Sequence, residues 1–446
     1  MNIIIAGDGE VGFHLAKSLS KIRHNITVVD PNSKLLTMLQ AEADLMTITG
    51  NSTSIKTLKD AEVSSCDLLI SVLHEESINI TTCILGKRLG AKRTIARISS
   101  SEYLSDSNKQ IFKGLGIDEI VSPERFAAKE ITNLLTRTTA TEIFDFANGL
   151  LSIYMMRVSP SALVFGKTLA EIARLYPDIE ARIVCIIRAG KTIIPNGNDR
   201  YDKGDLVYMI AKSTSLNRIN ELGGQKDLNI KNAMIIGGGR IARQAALNLQ
   251  KDINLKIIEK DRDRCFDLTN ILSKTMIING DGNDISLLTE EGIEDTDAFI
   301  ALTESTETNI LSCLHARKHG AKKTIALVEN ISYIDVSQDI GIDTIINKKL
   351  ITASYIARFT LAANVTTAKW LAGIDAEVIE VLAKEKSTVT KYRIRDLNIP
   401  NGASFGGVIR NNQAYITNGD FRIEAADKVI VFTMPEAAAK VVKLFN

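Results

Sequence analysis

Gly7, Gly9 and Gly12 of the segment Gly7-Asp8-Gly9-Glu10-Val11-Gly12 are spaced G-x-G-x-x-G, a pattern suited to holding a phosphate. The first glycine permits a tight turn, the second lets backbone approach a pyrophosphate, and the third brings a helix close to a strand. A helix opening there presents unpaired N–H groups and the positive end of its dipole. The preceding Asn2 to Ala6 reads as a buried strand, and a second apolar run, Ile26 to Val29, ends in Asp30. That is near the distance expected of an acid that accepts from a ribose 2′-OH and repels a 2′-phosphate, which favours NAD or an adenosine nucleotide over NADP. Asp30 also reads as a helix cap before Pro31, and the two roles are compatible. Ligand contacts in an open parallel sheet fall at the carboxyl ends of strands, which adds Gly50, Asn51, Leu73, His74 and Arg97. For Asn51 and Arg97, a turn residue and a solvated charge are the competing readings.

The pattern returns 230 residues later. Gly237-Gly238-Gly239-Arg240-Ile241-Ala242 falls on Gly7 to Gly12, and Gly320 to Ala326 matches Gly90 to Ala96 at all but one position. The same shift lays Gly280 on Gly50, Asn309-Ile310 on Asn79-Ile80 and Cys313 on Cys83, the mark of a tandem duplication. In the second copy Asp8 and Glu10 become Gly238 and Arg240, and the acid becomes Glu259, followed by Lys260, Arg262 and Arg264. Asp281, Leu302 and Thr303 are its further strand-end candidates. Cations beside a phosphate site suit a more highly charged ligand, ATP or ADP, where the first site suits NAD or NADH. The competing reading is a degenerate second loop that holds the fold without a ligand.

Apolar runs of four to six residues alternate with segments of helical periodicity in both copies, the signature of a parallel sheet covered by helices on both faces. Past Gly149 the texture changes to short strands separated by Asn-Gly, Lys-Gly and Ala-Gly turns, a small α+β module. A similar module begins near Gly373 and matches the first at a shift of 222, with Arg410 on Arg188 and Asp427 on Asp205. The expected class is α/β: two tandem Rossmann-like, doubly wound parallel-sheet domains, each followed by a small α+β module. The boundaries read as a nucleotide-binding domain at 1–122, a crossover helix and linker at 123–149, and a module at 150–222. The second set is 228–346, 347–372 and 373–446, with the interdomain linker at Leu222 to Asp227.

With 54 Lys plus Arg against 53 Asp plus Glu, no global field draws the chain to nucleic acid. No apolar run reaches the roughly 18 to 20 residues of a spanning helix, and the N-terminus enters a strand without a leader pattern, so a cytosolic protein is expected. The five cysteines are scattered and lack C-x-x-C spacing, which suits reduced, buried thiols. His315 and His319 stand four apart on an expected helix, but no third ligand is visible nearby, and no metal site is expected. The modules contain no histidine, and no catalytic motif accompanies the glycine loops. That argues against an NAD-dependent oxidoreductase. A redox-sensing transcription factor would need a DNA-reading element and a basic face, and neither is seen.

Two tandem units, each joining a glycine-loop domain, a crossover helix and a small α+β module, resemble the cytosolic regulators of potassium conductance (RCK domains). The paired, stand-alone form is similar to the peripheral nucleotide-binding subunits of Trk-type potassium uptake systems. The resemblance covers essentially the whole chain and rests on the duplication and domain order more than on either loop. It implies a regulatory protein and not an enzyme. It also implies a ring-like homo-oligomer, a tetramer, at the cytoplasmic face of the cell membrane beneath a membrane-embedded Trk-type potassium channel or transporter subunit. Bound NAD(H), ATP or ADP would gate that pore. The crossover helices near 123–137 and 347–361 would join neighbouring domains, and the small modules would bind regulators or neighbours.

Overall fold

The computed structural model describes residues 1–446 except 8, 21–23, 101, 137–141, 147–148, 160–161, 189–190, 203, 225–228, 358, 361–364 and 372–375. The first parallel sheet comprises β1 (Asn2–Ala6), β2 (Asn25–Asp30), β3 (Met46–Thr49), β4 (Leu68–Ser71), β5 (Arg93–Arg97) and β6 (Glu119–Val121). Its spatial order is β3-β2-β1-β4-β5-β6. Ile3, Ile5, Leu68, Leu69 and Ile70 are all but inaccessible, as strands covered on both faces require. The order reverses between β1 and β4, so their carboxyl ends open the crevice where such sheets take ligands.

An antiparallel sheet follows, built from β7 (Glu142–Phe146), β8 (Leu151–Arg157), β9 (Ala181–Arg188), β10 (Lys191–Ile193) and β11 (Leu206–Ala211) in the order β10-β9-β11-β8-β7. The second parallel sheet repeats the first with β12 (Asn232–Ile236), β13 (Asn254–Glu259), β14 (Thr275–Asn279), β15 (Ala298–Ala301), β16 (Lys323–Leu327) and β17 (Thr344–Ile346). Its order is β14-β13-β12-β15-β16-β17. The last sheet holds β18 (Val365–Trp370), β19 (Glu377–Leu382), β20 (Ala403–Arg410), β21 (Gln413–Ile416) and β22 (Lys428–Thr433), ordered β18-β19-β22-β20-β21. β7 and β18 lie in segments that the sequence reading assigned to crossover helix and linker. Both are edge strands, and Glu142, Asp145, Thr366, Thr367 and Lys369 interrupt the apolar runs by which inner strands are recognised.

The chain forms two compact units, and they do not follow the repeat. One is Met1–Phe126 with Lys348–Leu361; the other is Ala127–Asn347 with Ala362–Asn446. In the first unit the helix Lys348–Ala357, which follows β17, packs on the helix Glu10–Ser20 that follows the first glycine loop. Phe126 stacks on Tyr355 at 4.1 Å between ring centroids, and the Arg93 guanidinium lies 5.0 Å from the Phe359 ring. The second unit holds the reciprocal arrangement. Residues 127–136 of the helix Pro123–Thr136 lie against the second parallel-sheet domain: Asn248 Nδ2 donates to Thr132 Oγ1 at 3.3 Å, and Lys323 Nζ donates to the Leu134 carbonyl at 2.9 Å.

The two antiparallel sheets also share a core in the second unit, where Leu151, Ile153, Tyr208 and Ile210 cluster with Val378, Ile409, Ile430 and Phe432. Each module is braced by a matched ion pair. Arg188 grips the buried Asp205 through Nε and Nη2 at 3.0 and 2.8 Å, and Arg410 grips Asp427 at 2.8 and 2.7 Å. Each aspartate also accepts a backbone N–H, from Asp202 and from Glu424, so the buried charge is fully engaged.

Candidate functional site

At the first glycine loop, the backbones of Gly7 and Gly12 touch. A Cβ on Gly7 would lie 3.0 Å from Gly12 Cα, and a Cβ on Gly12 would lie 3.0 Å from Gly7 Cα. This contact seats the N-terminus of the helix Glu10–Ser20 directly above β1, with Val11 and Gly12 in its first turn. Asp8 lies outside the described residues. The His74 ring covers Gly9, where a Cβ would lie 3.3 Å from its Cε1. Asp30 is fully buried at the end of β2, and its Oδ1 accepts from Asn32 N at 2.7 Å. The cap of the next helix is Asn32, not Asp30, since Asn32 Oδ1 accepts from Leu35 N. Gly50 sits beside the acid through its N–H, which donates to the Asp30 carbonyl at 3.0 Å.

The other first-site candidates are occupied with local work. Asn51 Oδ1 accepts from Thr53 N and Thr53 Oγ1 at 2.9 and 2.8 Å, which is the turn-residue reading. Arg97 is not a solvated charge: its Nη2 lies 3.4 Å from Glu124 Oε1, with the side chains 15% and 13% exposed. Leu73 is buried, and both its N–H and its carbonyl bond to Asn79. Sequence reasoning matched Asn79 and Asn309 across the repeat but gave them no role. Asn79 Oδ1 accepts from Ser71 Oγ and Leu73 N, while Nδ2 donates to the carbonyls of Leu73 and Arg97. It therefore ties the carboxyl end of β4 to that of β5. Asn309 does the same with Thr303 and Leu327. Identity across the duplication was the available signal; no motif describes it.

In the second loop the counterpart of Gly7 makes a different close approach. Gly237 adopts φ +87°, and a Cβ there would lie 2.8 Å from the Leu302 carbonyl oxygen. Gly239 caps the helix Arg240–Leu249, whose first turn buries Ile241 and Ala242 while Arg240 stays exposed. Glu259, 5% exposed, is turned onto the loop: Oε2 accepts from Gly238 N at 2.5 Å, and Oε1 accepts from Asp261 N at 2.7 Å. Arg264 Nη1 stands 3.4 Å from Oε2, and Lys260 Nζ lies 3.2 Å from Asp281 Oδ2. That ion pair and the Asn283 N–H hold the Asp281 carboxyl below the usual carboxylate range, the backbone hydrogen bond contributing most. Of the basic run after Glu259, two cations are thus already neutralised, and Arg262 lies over the Phe266 ring.

His315 and His319 stack at 4.4 Å, and His319 Nδ1 lies 3.3 Å from Glu294 Oε1. All five cysteines are buried, and burial pushes the Cys66 thiol up to about 11 and Cys185 to about 12. Such thiols stay protonated at neutral pH and make poor nucleophiles. No helix among the described residues is long and apolar enough to cross a membrane.

The family model for the TrkA-N domain matches residues 3–123 and 233–348, and that for the TrkA-C domain matches 153–222 and 378–446. A Haemophilus influenzae protein named Trk system potassium uptake protein TrkA is 33% identical over 437 residues, spanning 97% of this chain and 95% of that protein. The Methanosarcina mazei protein named Trk system potassium uptake protein TrkA homolog 1 is 31% identical over 459 residues, spanning all of both. The solved structure titled GsuK channel bound to NAD superposes with a TM-score of 0.62 at 17% identity, covering 100% of this chain and 78% of that one. That likeness is one of fold.

Proposed function

Since this chain belongs to the TrkA family, we propose that it is the peripheral, non-enzymatic regulatory subunit of a Trk-type potassium uptake system, gated by nucleotide. The observation that carries the reading is the pair of matched crevices. Each has a glycine loop with at least one position where a side chain would crowd its neighbours, Gly7 against Gly12 in the first and Gly237 against Leu302 in the second, and a buried acid beside it at the end of the second strand. Gly7, Gly9 and Gly12 would hold the pyrophosphate of NAD or NADH against the helix N-terminus, with Asp30 accepting from the ribose. The second site takes ATP or ADP. There Arg240 supplies the positive charge, because Lys260 and Arg264 are committed to Asp281 and Glu259. The partner is a membrane-embedded potassium channel or transporter subunit, against which a homotetrameric ring sits on the cytoplasmic face. The relatives' name as potassium uptake proteins supports this over an oxidoreductase.

Titration of the full chain with NADH, NAD, NADPH, ATP and ADP, repeated on Asp30→Ala and Glu259→Ala, tests the assignment. Loss of NADH binding in the first variant and of ATP binding in the second is expected. ATP binding that survives Glu259→Ala and disappears in Asp30→Ala would reverse the two sites, and no binding of any nucleotide would remove the gating ligand.

A further inference from the structure

The first antiparallel module contains a cavity of about 700 Å³ that the nucleotide reading does not use. Its walls are mainly apolar and aromatic, among them Val158, Leu169, Ile172, Tyr176, Tyr201 and Met209, and the end of β21 with the following Thr417 and Asn418, from the second module, closes one side. The volume lies within the range of roughly 300 to 1,000 Å³ typical of small-molecule sites.

The duplication supplies an internal control for why the space exists. β9 and β20 align at the shift of 222 down to the same bulge, at Val184 in one and Gly406 in the other, so Ile183 and Phe405 occupy one register position. The same shift sets Gly223 against Phe445. In the second module Phe405 and Phe445 are both buried and their rings pack at 5.7 Å. In the first module Ile183 and Gly223 stand in their places and line the cavity. Met156 takes up part of the place of the Phe445 ring, its Cε standing so near Gly223 that a Cβ there would collide with it, but nothing among the described residues replaces the ring of Phe405 beside Ile183.

Arg182 enters the wall of this apolar space, where the second module has Ser404. Its Nη1 donates to the Thr417 carbonyl at 3.1 Å, while its Nε is buried without a hydrogen-bond partner. Among the described residues no carboxylate pairs with it; Glu180, which also lines the cavity, is held by Lys212 at 2.5 Å. A guanidinium stays charged under all physiological conditions, and a buried charge is costly unless it is paired and hydrogen-bonded. Its planar donor face suits a carboxylate in particular.

We propose that this cavity is a binding site for an amphipathic monocarboxylate, its head on Arg182 and its aliphatic or aromatic body in the space beside Ile183 and Met156 that the second module fills with Phe405. The site is separate from both glycine loops and does not depend on nucleotide binding.

Calorimetric titration of the full chain with decanoate, 4-phenylbutyrate and decanol tests it. Decanoate or 4-phenylbutyrate should bind saturably at one site per chain, and decanol at least tenfold more weakly than decanoate. Arg182→Gln should weaken the carboxylates at least tenfold without changing decanol. Ile183→Phe, which installs the second module's own residue, should abolish binding of all three while NADH binding and melting temperature stay near the parent's. Equal affinity for decanoate and decanol, carboxylate binding unchanged in Arg182→Gln, or no saturable binding of either carboxylate would each overturn the proposal. Should Arg182→Gln fold poorly, Arg182→Lys keeps the charge but loses the planar donor pair, and it must still bind decanoate better than decanol.

Discussion

The glycines of the two loops are not equally constrained, and the difference is measurable. A methyl on Gly7 would meet backbone, Gly12 Cα at 3.0 Å, and the Val72 side chain at 3.2 Å, so the loop and the helix would have to move apart slightly to admit it. A Cβ on Gly239 would meet nothing within 4 Å. Gly7→Ala should therefore cost about 1 to 3 kcal/mol, the range of substitutions that break a close backbone approach, and should abolish NADH binding. Gly239→Ala should stay within about 0.5 kcal/mol of the parent, the range of substitutions away from such features. Thermal melts of the two variants, with NADH titrations alongside, check the contrast; similar melting temperatures would show that the Gly7–Gly12 approach is not what fixes the loop. At this scale the sequence was most informative about residue types whose chemistry is local. The G-x-G-x-x-G spacing and the acids Asp30 and Glu259 were legible from it. The turn of Glu259 onto Gly238 N was not, since it depends on how β13 lies beside β12. The role of Asn79 also escaped, because its four partners are brought together only by the sheet.

At the scale of elements, the repeat gives matched positions different chemistry at one joint. Arg93 opens β5 and lies over the Phe359 ring; its counterpart Lys323 opens β16 and is buried, donating to the Leu134 carbonyl near the end of the crossover helix. Burial lowers the Lys323 pKa to about 7, with Asp343 opposing the shift. A lysine whose folded pKa is depressed carries a penalty that is complete below that pKa and is relieved as pH rises toward the unfolded value, because over that window the unfolded chain binds more protons. Stability contributed at this joint should thus rise between pH 7 and 10. Lys323→Met, which leaves the Leu134 carbonyl without that donor but removes the buried ammonium, should flatten the rise. Melting temperatures at pH 7.0 and 9.0 for parent and variant decide it; an unchanged difference between the two pH values would mean the amine is not desolvated. Elements themselves were legible where burial is two-sided, as in β1, β4, β12 and β15, whose apolar runs leave little choice. β7 and β18 were not, because an edge strand can carry polar residues on a face that inner strands must keep apolar.

For the molecule as a whole, the proposed switch works only through a difference in affinity between two states. Moving a population from 1:99 to 99:1 takes about 5.5 kcal/mol, or about 1.4 kcal/mol per chain if four chains of a ring share it. The exchanged crossover helices offer a path of that size. The helix Glu10–Ser20 begins on the first glycine loop and packs on Lys348–Ala357 of the second repeat, where Tyr355 stacks on Phe126 and edges Phe359. Aromatic pairs of this kind contribute about 0.5 to 1.5 kcal/mol each beyond their burial, so repacking one or two of them matches what each chain must supply. NADH binding at the first loop should therefore slow hydrogen exchange in Lys348–Ala357 as well as in residues 9–20. Tyr355→Ala should keep NADH affinity within about threefold, because Tyr355 does not contribute to the loop, yet remove the protection at 348–357 and the nucleotide response of potassium uptake. Protection confined to the loop and its own helix in the parent protein would show that the nucleotide's influence does not pass through the exchanged helix. A variant that lost affinity and protection together would place Tyr355 in the support of the loop instead of in the transmission of its state.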